Sequence, residues 1–230
     1  MMKKIVFLTG AGISAESGIK TFRDSDGLWE NHRVEDVASI EGWYRNPKLV
    51  IDFYNERRRQ LETVKPNRAH EIIAELEKDF DVTVVTQNVD NLHERAGSTN
   101  IIHLHGELTK IRPVDGDDMD AIDIGYADLS INDKDSRGVQ LRPHIVWFGE
   151  AVPMIEKAVR VVSKADVLVI VGTSMVVYPA AGLIHYAPAG IPIYLIDPKP
   201  SGLHHPRLKQ FVEKATTGME KLKKELLNEQ

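Results

Sequence analysis

Polar residues gather where short apolar runs end. Gly10-Ala11-Gly12-Ile13-Ser14-Ala15 directly follows the apolar run Ile5–Thr9 and fits the pattern G-x-G-x-x-G/A. Glycines there turn the chain tightly and let backbone N–H groups approach a pyrophosphate at a helix start. A plain turn between strand and helix gives the same letters, so the loop alone decides little. The usual acidic ribose ligand at the end of a second strand, about 20 residues on, is missing. Asp24 and Asp26 stand near that distance but follow Thr21-Phe22-Arg23, which does not read as a strand end. That disfavours a hydride-transferring dehydrogenase.

A second polar group interrupts Val82–Val85 with Thr86-Gln87-Asn88-Val89-Asp90. Gln87, Asn88 and Asp90 can hydrogen-bond a ribose or an amide. The same residues could simply cap a strand-to-helix turn. His105 follows the run Ile101-Ile102-His103-Leu104 and precedes Gly106. An imidazole suits proton transfer near neutrality, although a lone histidine is more often structural. His103 is expected on the opposite face, so only one of the two should matter. On Asp52–Arg59, Tyr54 and Arg57 are three residues apart and share a helix face. Arg offers a bidentate fork and Tyr one further donor, together suited to a carboxylate. The alternative is a solvated basic face on which Tyr54 merely packs.

These groups need a scaffold, and the chain's apolar runs describe one. Ile5–Thr9, Val82–Thr86, Ile101–Leu104, Ile145–Phe148, Val167–Val171 and Ile193–Ile196 are short and apolar on both faces, as buried parallel strands are. Helical patterns lie between several of them: Asn67 to Lys78, Pro153 to Lys164 and Pro179 to Ala187. The alternation predicts an α/β fold with a Rossmann-like, doubly wound parallel sheet. A closing helix, Met219 to Leu227, carries Met219, Leu222, Leu226 and Leu227 as its apolar face. We expect one domain over 1–230, with the Rossmann-like core in 1–24, 66–109 and 143–230. A small module then comes from two insertions, helical 25–65 and Asp-rich 110–142.

The 230 residues carry a net charge of −5 and no cysteine. Disulfides, thiolate nucleophiles, iron–sulfur clusters and Cys-ligated zinc are thereby excluded. Mild acidity argues against nucleic acid or an anionic membrane as an obligatory partner. The start Met1-Met2-Lys3-Lys4 leads into an apolar run too short for a signal peptide, and no run is long enough to span a membrane. Cytoplasmic location is the expectation; the oligomeric state is open.

The run Gly10 to Ile19, with Thr21-Phe22-Arg23-Asp24 and Gly27-Leu28-Trp29, resembles the signature of the sirtuin family. Four further blocks agree in order and spacing: Thr86 to His93, Leu104-His105-Gly106, Pro143 to Glu150, and Gly172-Thr173-Ser174 with Val177-Tyr178-Pro179. The resemblance covers nearly the whole chain. It implies an NAD-dependent protein lysine deacylase, a transferase and hydrolase in one. The products would be nicotinamide, free lysine and O-acyl-ADP-ribose. By the same resemblance Gly10, Ala11, Gly12, Arg23, Gly172, Thr173 and Ser174 hold the phosphates and adenosine half of NAD. Phe22 covers the nicotinamide pocket, Gln87, Asn88 and Asp90 orient the nicotinamide end, and His105 is the general base. Asp197 ends the last strand near where many relatives have Asn, and would accept from ribose hydroxyls.

Acyl-lysine proteins or peptides are the implied partners. A substrate peptide would lie as an added strand between Val146, Trp147, Phe148, Gly149 and Glu150 on one side and Met175, Val176, Val177 and Tyr178 on the other. Tyr54 and Arg57 match the bacterial desuccinylase and deacetylase type, which removes succinyl, malonyl or glutaryl groups beside acetyl. The chain departs from most of the family in lacking four zinc cysteines. We therefore expect no metal, and a module held by Ile122, Ile124, Tyr126, Leu129 and Ile131. Two rival activities remain open at this stage. One is an NAD glycohydrolase or ADP-ribosyltransferase on the same fold; the other is a non-catalytic NAD-sensing module.

Overall fold

The computed structural model describes residues 2–20, 28–173, 180–202 and 205–228. In chain order its strands are β1 (Lys4–Thr9), β2 (Leu28–Trp29), β3 (His32–Arg33), β4 (Asp81–Thr86), β5 (Ile101–His103), β6 (Gly106–Pro113), β7 (Ile122–Asp123), β8 (Leu141–Ile145), β9 (Val167–Val171), β10 (Ile193–Ile196) and β11 (Leu208–Phe211). The helices are α1 (Ala11–Ser14), α2 (Val34–Val37), α3 (Ile40–Arg45), α4 (Pro47–Thr63), α5 (Arg68–Leu76), α6 (Leu92–Ala96), α7 (Ile155–Val162) and α8 (Ala215–Asn228).

Six strands form one parallel sheet in the order β11-β10-β9-β1-β4-β5. The chain runs outward from β1 to β4 and β5, then returns to the other side of β1 for β9, β10 and β11. The order therefore reverses between β1 and β9, and a crevice opens beyond the carboxyl ends of these two strands. Val- and Ile-rich strands bury both faces, as parallel sheets must. Ile5, Phe7, Val84 and Val169 pack on α5 and α8 on one side. Val6, Leu8, Leu168 and Ile170 pack on α7 and the 3₁₀ turns of Ala180–Tyr186 on the other. The α/β doubly wound expectation holds.

Asn67 starts α5 with a capping box: its side chain accepts from Ala69 N, and the His70 ring accepts from the Asn67 backbone. On α8, Met219, Leu222 and Leu226 are buried, but Leu227 is exposed, so it does not belong to the apolar face. Gly218 takes its place: a Cβ there would stand 2.4 Å from Ile196 Cγ2. The edge strand β11 had no sequence signal, because Leu208-Lys209-Gln210-Phe211 is short and half polar.

The run Ile145–Phe148 is not a strand of the main sheet. Leu141–Ile145 instead pairs antiparallel with β6, in a small sheet ordered β7-β6-β8. Residues 106–109 and 143–145 thus belong to that small sheet. Beneath it lies α4, whose Val50, Ile51, Phe53, Tyr54 and Leu61 join Leu108, Ile111, Leu129, Leu141 and Trp147 in a separate core.

Polar ties do much of the work assigned to apolar residues in the second insertion. Leu129 is buried and Ile124, Tyr126 and Ile131 are half-buried against that core, but Ile122 is exposed. Asn55 exchanges two hydrogen bonds with the Leu129 backbone, at 2.8 and 2.9 Å. Arg58 donates to the carbonyls of Leu108 and Ala127 and to Asn55 Oδ1. Burial lowers the Arg58 pKa to about 10, against the opposing pull of Asp128. Arg59 grips Asp128, and Arg137 spans Asp115 and Asp135.

Candidate active site

The first two loops of the crevice are interlocked. Gly10 N donates to the Val171 carbonyl and Gly12 N to the Gly172 carbonyl, at 3.1 and 2.8 Å. A Cβ on Gly10 would lie 2.7 Å from Thr173 Cβ, and one on Gly12 would lie 2.6 Å from Gly172 Cα. Gly172 has φ +64°, where side chains are strained. The loops after β1 and β9 therefore close on each other in one bare-backbone seam with no room for a side chain between them. Bare backbone of this kind lets a pyrophosphate approach closely, with Ala11 beside it. Phe22, Arg23, Ser174, Met175, Val176, Val177 and Tyr178 lie outside the described residues.

The loop after β4 closes the third side. Gln87 N donates to the Thr9 carbonyl at 2.9 Å, and Gln87 Nε2 donates to Thr173 Oγ1 at 3.0 Å. Asn88 and Asp90 are buried. Asn88 Nδ2 donates to the Gly10 carbonyl and to Ser14 Oγ, at 3.1 and 3.2 Å. Asp90 accepts from Ser14 Oγ at 2.9 Å and from Leu92 N at 3.1 Å. Burial raises its pKa, against these two bonds. The turn-capping alternative is thus partly realised, since Asp90 does satisfy the start of α6.

Ser14 joins these residues although its letter carried no role in the sequence. His70 Nδ1 accepts from the Asn67 backbone, which leaves Nε2–H to meet Ser14 Oγ at 3.4 Å. Ser14 then accepts from Asn88 and His70 and donates to Asp90, using its full capacity. The His93 ring packs edge-on against His70 at 4.9 Å and meets Thr9 Oγ1 at 3.0 Å. Burial keeps both rings neutral: the His70 pKa falls to about 4, and that of His93 falls well below 6.5.

His105 sits just beyond β5. Its Nδ1 lies 3.0 Å from the Gln87 carbonyl, an acceptor only, so Nδ1 carries the proton and Nε2 the lone pair. Burial lowers its pKa, partly offset by that carbonyl. His103 does not turn away. Its Nδ1 meets the Asn88 carbonyl at 3.1 Å, so both histidines reach successive carbonyls of one loop. Residues two apart on a strand share a face, which corrects the expected division between them. Asp197 is buried at the end of β10 and accepts from Lys199 N at 3.0 Å.

On α4, Tyr54 is fully buried and its hydroxyl accepts from Trp147 Nε1 at 3.1 Å. Burial raises its pKa, so the phenol keeps its proton as a donor. Arg57 is also buried, not part of a solvated face. One guanidinium nitrogen pairs with Glu56 at 2.8 Å, and the group lies 5.1 Å from the Phe53 ring centre. Its Nε and Nη1 have no partner among the described residues. A buried fork with two idle donors fits a carboxylate.

In 146–150 the backbone is already much engaged. Val146 N donates to the His105 carbonyl, Phe148 N to Ala38, and Glu150 N to Trp147, while Ile40 N donates to the Phe148 carbonyl. The side chains of Trp147 and Glu150 serve internal support. The Trp147 ring is buried 3.6 Å below the Arg142 guanidinium, and Glu150 holds Arg142 through both oxygens and accepts from Trp147 N. Phe148 is half exposed and Gly149 is exposed, so an accessible face remains there. Arg142, the hub of this support, carries no signal in the sequence, because a lone arginine before Pro143 has no patterned partner nearby.

The Sir2 family model matches residues 10–179. A curated NAD-dependent protein deacylase of Bacteroides thetaiotaomicron is 58% identical, over 98% of this chain and 99% of its own. One of Helicobacter pylori is 52% identical over 98% of both. Among solved structures, a mutant Sir2 homologue bound to ADP-ribose superposes with a TM-score of 0.89 at 38% identity, covering 99% of this chain and 93% of that one. A Sir2 homologue–NAD complex gives 0.87 at 38% identity, covering 99% and 91%.

Proposed function

The chain belongs to the Sir2 family, and from that premise we infer that it is an NAD-dependent protein lysine deacylase. One observation carries the assignment of the base: His105 has its Nδ1 proton pinned on the Gln87 carbonyl, leaving Nε2 as the acceptor. Bound NAD supplies an ADP-ribosyl group that takes the acyl group from lysine as nicotinamide departs, and water completes the release of free lysine. The residues around the crevice fit that group. The bare backbone along the Gly10, Gly12 and Gly172 seam suits close approach of the pyrophosphate, with Ala11 and Thr173 beside it. Gln87, Asn88 and Asp90 suit the nicotinamide end, and Asp197 suits ribose hydroxyls. His105 accepts a ribose hydroxyl proton at Nε2.

The acyl range extends to acidic groups. Arg57 offers Nε and Nη1 to the carboxylate of a succinyl or malonyl chain, and Tyr54 adds its hydroxyl proton. Acetyl groups leave that fork unused but still react. The substrate is an acyl-lysine protein or peptide, seated near Phe148 and Gly149. A solved Sir2–p53 peptide–NAD+ complex, 28% identical with a TM-score of 0.80, supports peptide binding on this fold. We place the enzyme in the cytoplasm, without obligatory nucleic acid or membrane. Among the described residues no helix is long and apolar enough to cross a membrane.

The test incubates the protein with NAD and matched acetyl- and succinyl-lysine peptides and resolves products by mass spectrometry. O-acyl-ADP-ribose should form with the wild type and be lost with His105→Ala. Nicotinamide release without acyl peptide would point to a glycohydrolase instead.

A further inference from the structure

His103 is bonded on both ring nitrogens to groups that can only accept. Nδ1 lies 3.1 Å from the Asn88 carbonyl, and Nε2 lies 2.6 Å from Glu94 Oε1. With Glu94 ionised, both bonds exist together only if the ring carries two protons. We propose that His103 and Glu94 form an ion-paired positioning unit that pins the Asn88 carbonyl and so holds the Gln87–Asp90 loop in its NAD-binding arrangement. The assignment rests on the deacylase reading of that loop.

The surroundings favour the charged ring. Burial opposes its charge, but the Glu94 bond, the charges of Glu94 and Glu107 and the Asn88 carbonyl outweigh it and raise the His103 pKa. The Glu94 pKa is lowered: burial works against its charge and His103 prevails. The other ionisable groups around the ring are Asp90 beside the loop, His93 on α6, and Glu107 and Lys110 on β6. Ligand-capable atoms of Glu94, His103 and Glu107 lie within 4.8 Å of one another. Lys110 pairs with Glu107 at 2.7 Å and both His103 nitrogens are committed, so the cluster is an ion pair rather than a cation site.

Loss of one proton turns one of the two contacts into a lone-pair clash. The loop's hold on NAD should then weaken as pH rises through the His103 pKa. His105 cannot produce this effect, because its pKa is shifted the other way. The experiment measures NAD affinity by calorimetry across pH without acyl peptide, with the His103 ring followed by NMR in the ligand-free protein. Wild type should bind well until the ring deprotonates above the ordinary histidine range. Glu94→Gln should move both the ring titration and the alkaline loss of affinity down by about one pH unit or more.

His103→Asn places an amide N–H where Nδ1 stood and should bind without the alkaline loss. His103→Leu should bind about tenfold more weakly, with no alkaline limb. Superimposable wild-type and Glu94→Gln profiles, or a neutral His103 ring at pH 7, would overturn the proposal. Failure of the wild type to bind NAD at any pH would instead overturn the deacylase reading.

Discussion

At the residue scale, two consecutive arginines on α4 divide their labour by what already surrounds them. Arg58 commits Nε and Nη1 to Leu108, Ala127 and Asn55 and leaves only Nη2 without a partner, whereas Arg57 keeps Nε and Nη1 idle among the described residues. Arg57→Met should therefore spare deacetylation and cut desuccinylation tenfold or more, about 1.4 kcal/mol of transition-state binding. Paired steady-state assays on matched peptides check this; equal losses on both would refute the acyl assignment. The base role proposed for His105 makes a second expectation. Because burial lowers its pKa, its base form persists below the 6.5 of an ordinary imidazole. The acid limb of kcat/KM should therefore fall below that value rather than at it, as a pH profile would show.

At the element scale, the contact between α8 and β10 depends on a missing side chain. Gly218 lets α8 lie directly on Ile196. Gly218→Ala gains helix propensity but meets the Ile196 methyl, and overpacking of this kind costs about 1–3 kcal/mol. Urea denaturation should show that loss, and Ile196→Val in the same chain should recover part of it. Elements with a strong period or a cap were readable in advance: β1, β4 and β9 as apolar runs, α5 from Asn67. The Ile145–Phe148 run misled because apolar letters do not say which sheet accepts them. Trp147 is buried in the small module's core under Arg142 and against Tyr54, the latter 93 residues away in sequence. In the site, Gln87, Asn88, Asp90 and His105 stood out as polar breaks in apolar runs. Ser14, His70 and His93 did not, because their importance lies in partners 56 to 84 residues away.

At the scale of the whole molecule, the buried His70 and His93 tie stability to pH. Their folded pKa values are depressed, so their contribution is complete above about pH 6.5, the unfolded value, and is lost as pH falls toward the folded one. For His70, falling from 6.5 to about 4, the loss is about 3 kcal/mol. Urea midpoints at about pH 7.5 and about pH 4.5 should differ accordingly, and His70→Gln with His93→Gln should flatten the difference. Gly12 and Gly172 each stand in the space a side chain on the other would need. Gly12→Ala or Gly172→Ala must therefore push the opposite loop out of line, and the opposing glycine has nothing smaller to become. The junction yields only where both backbones move together.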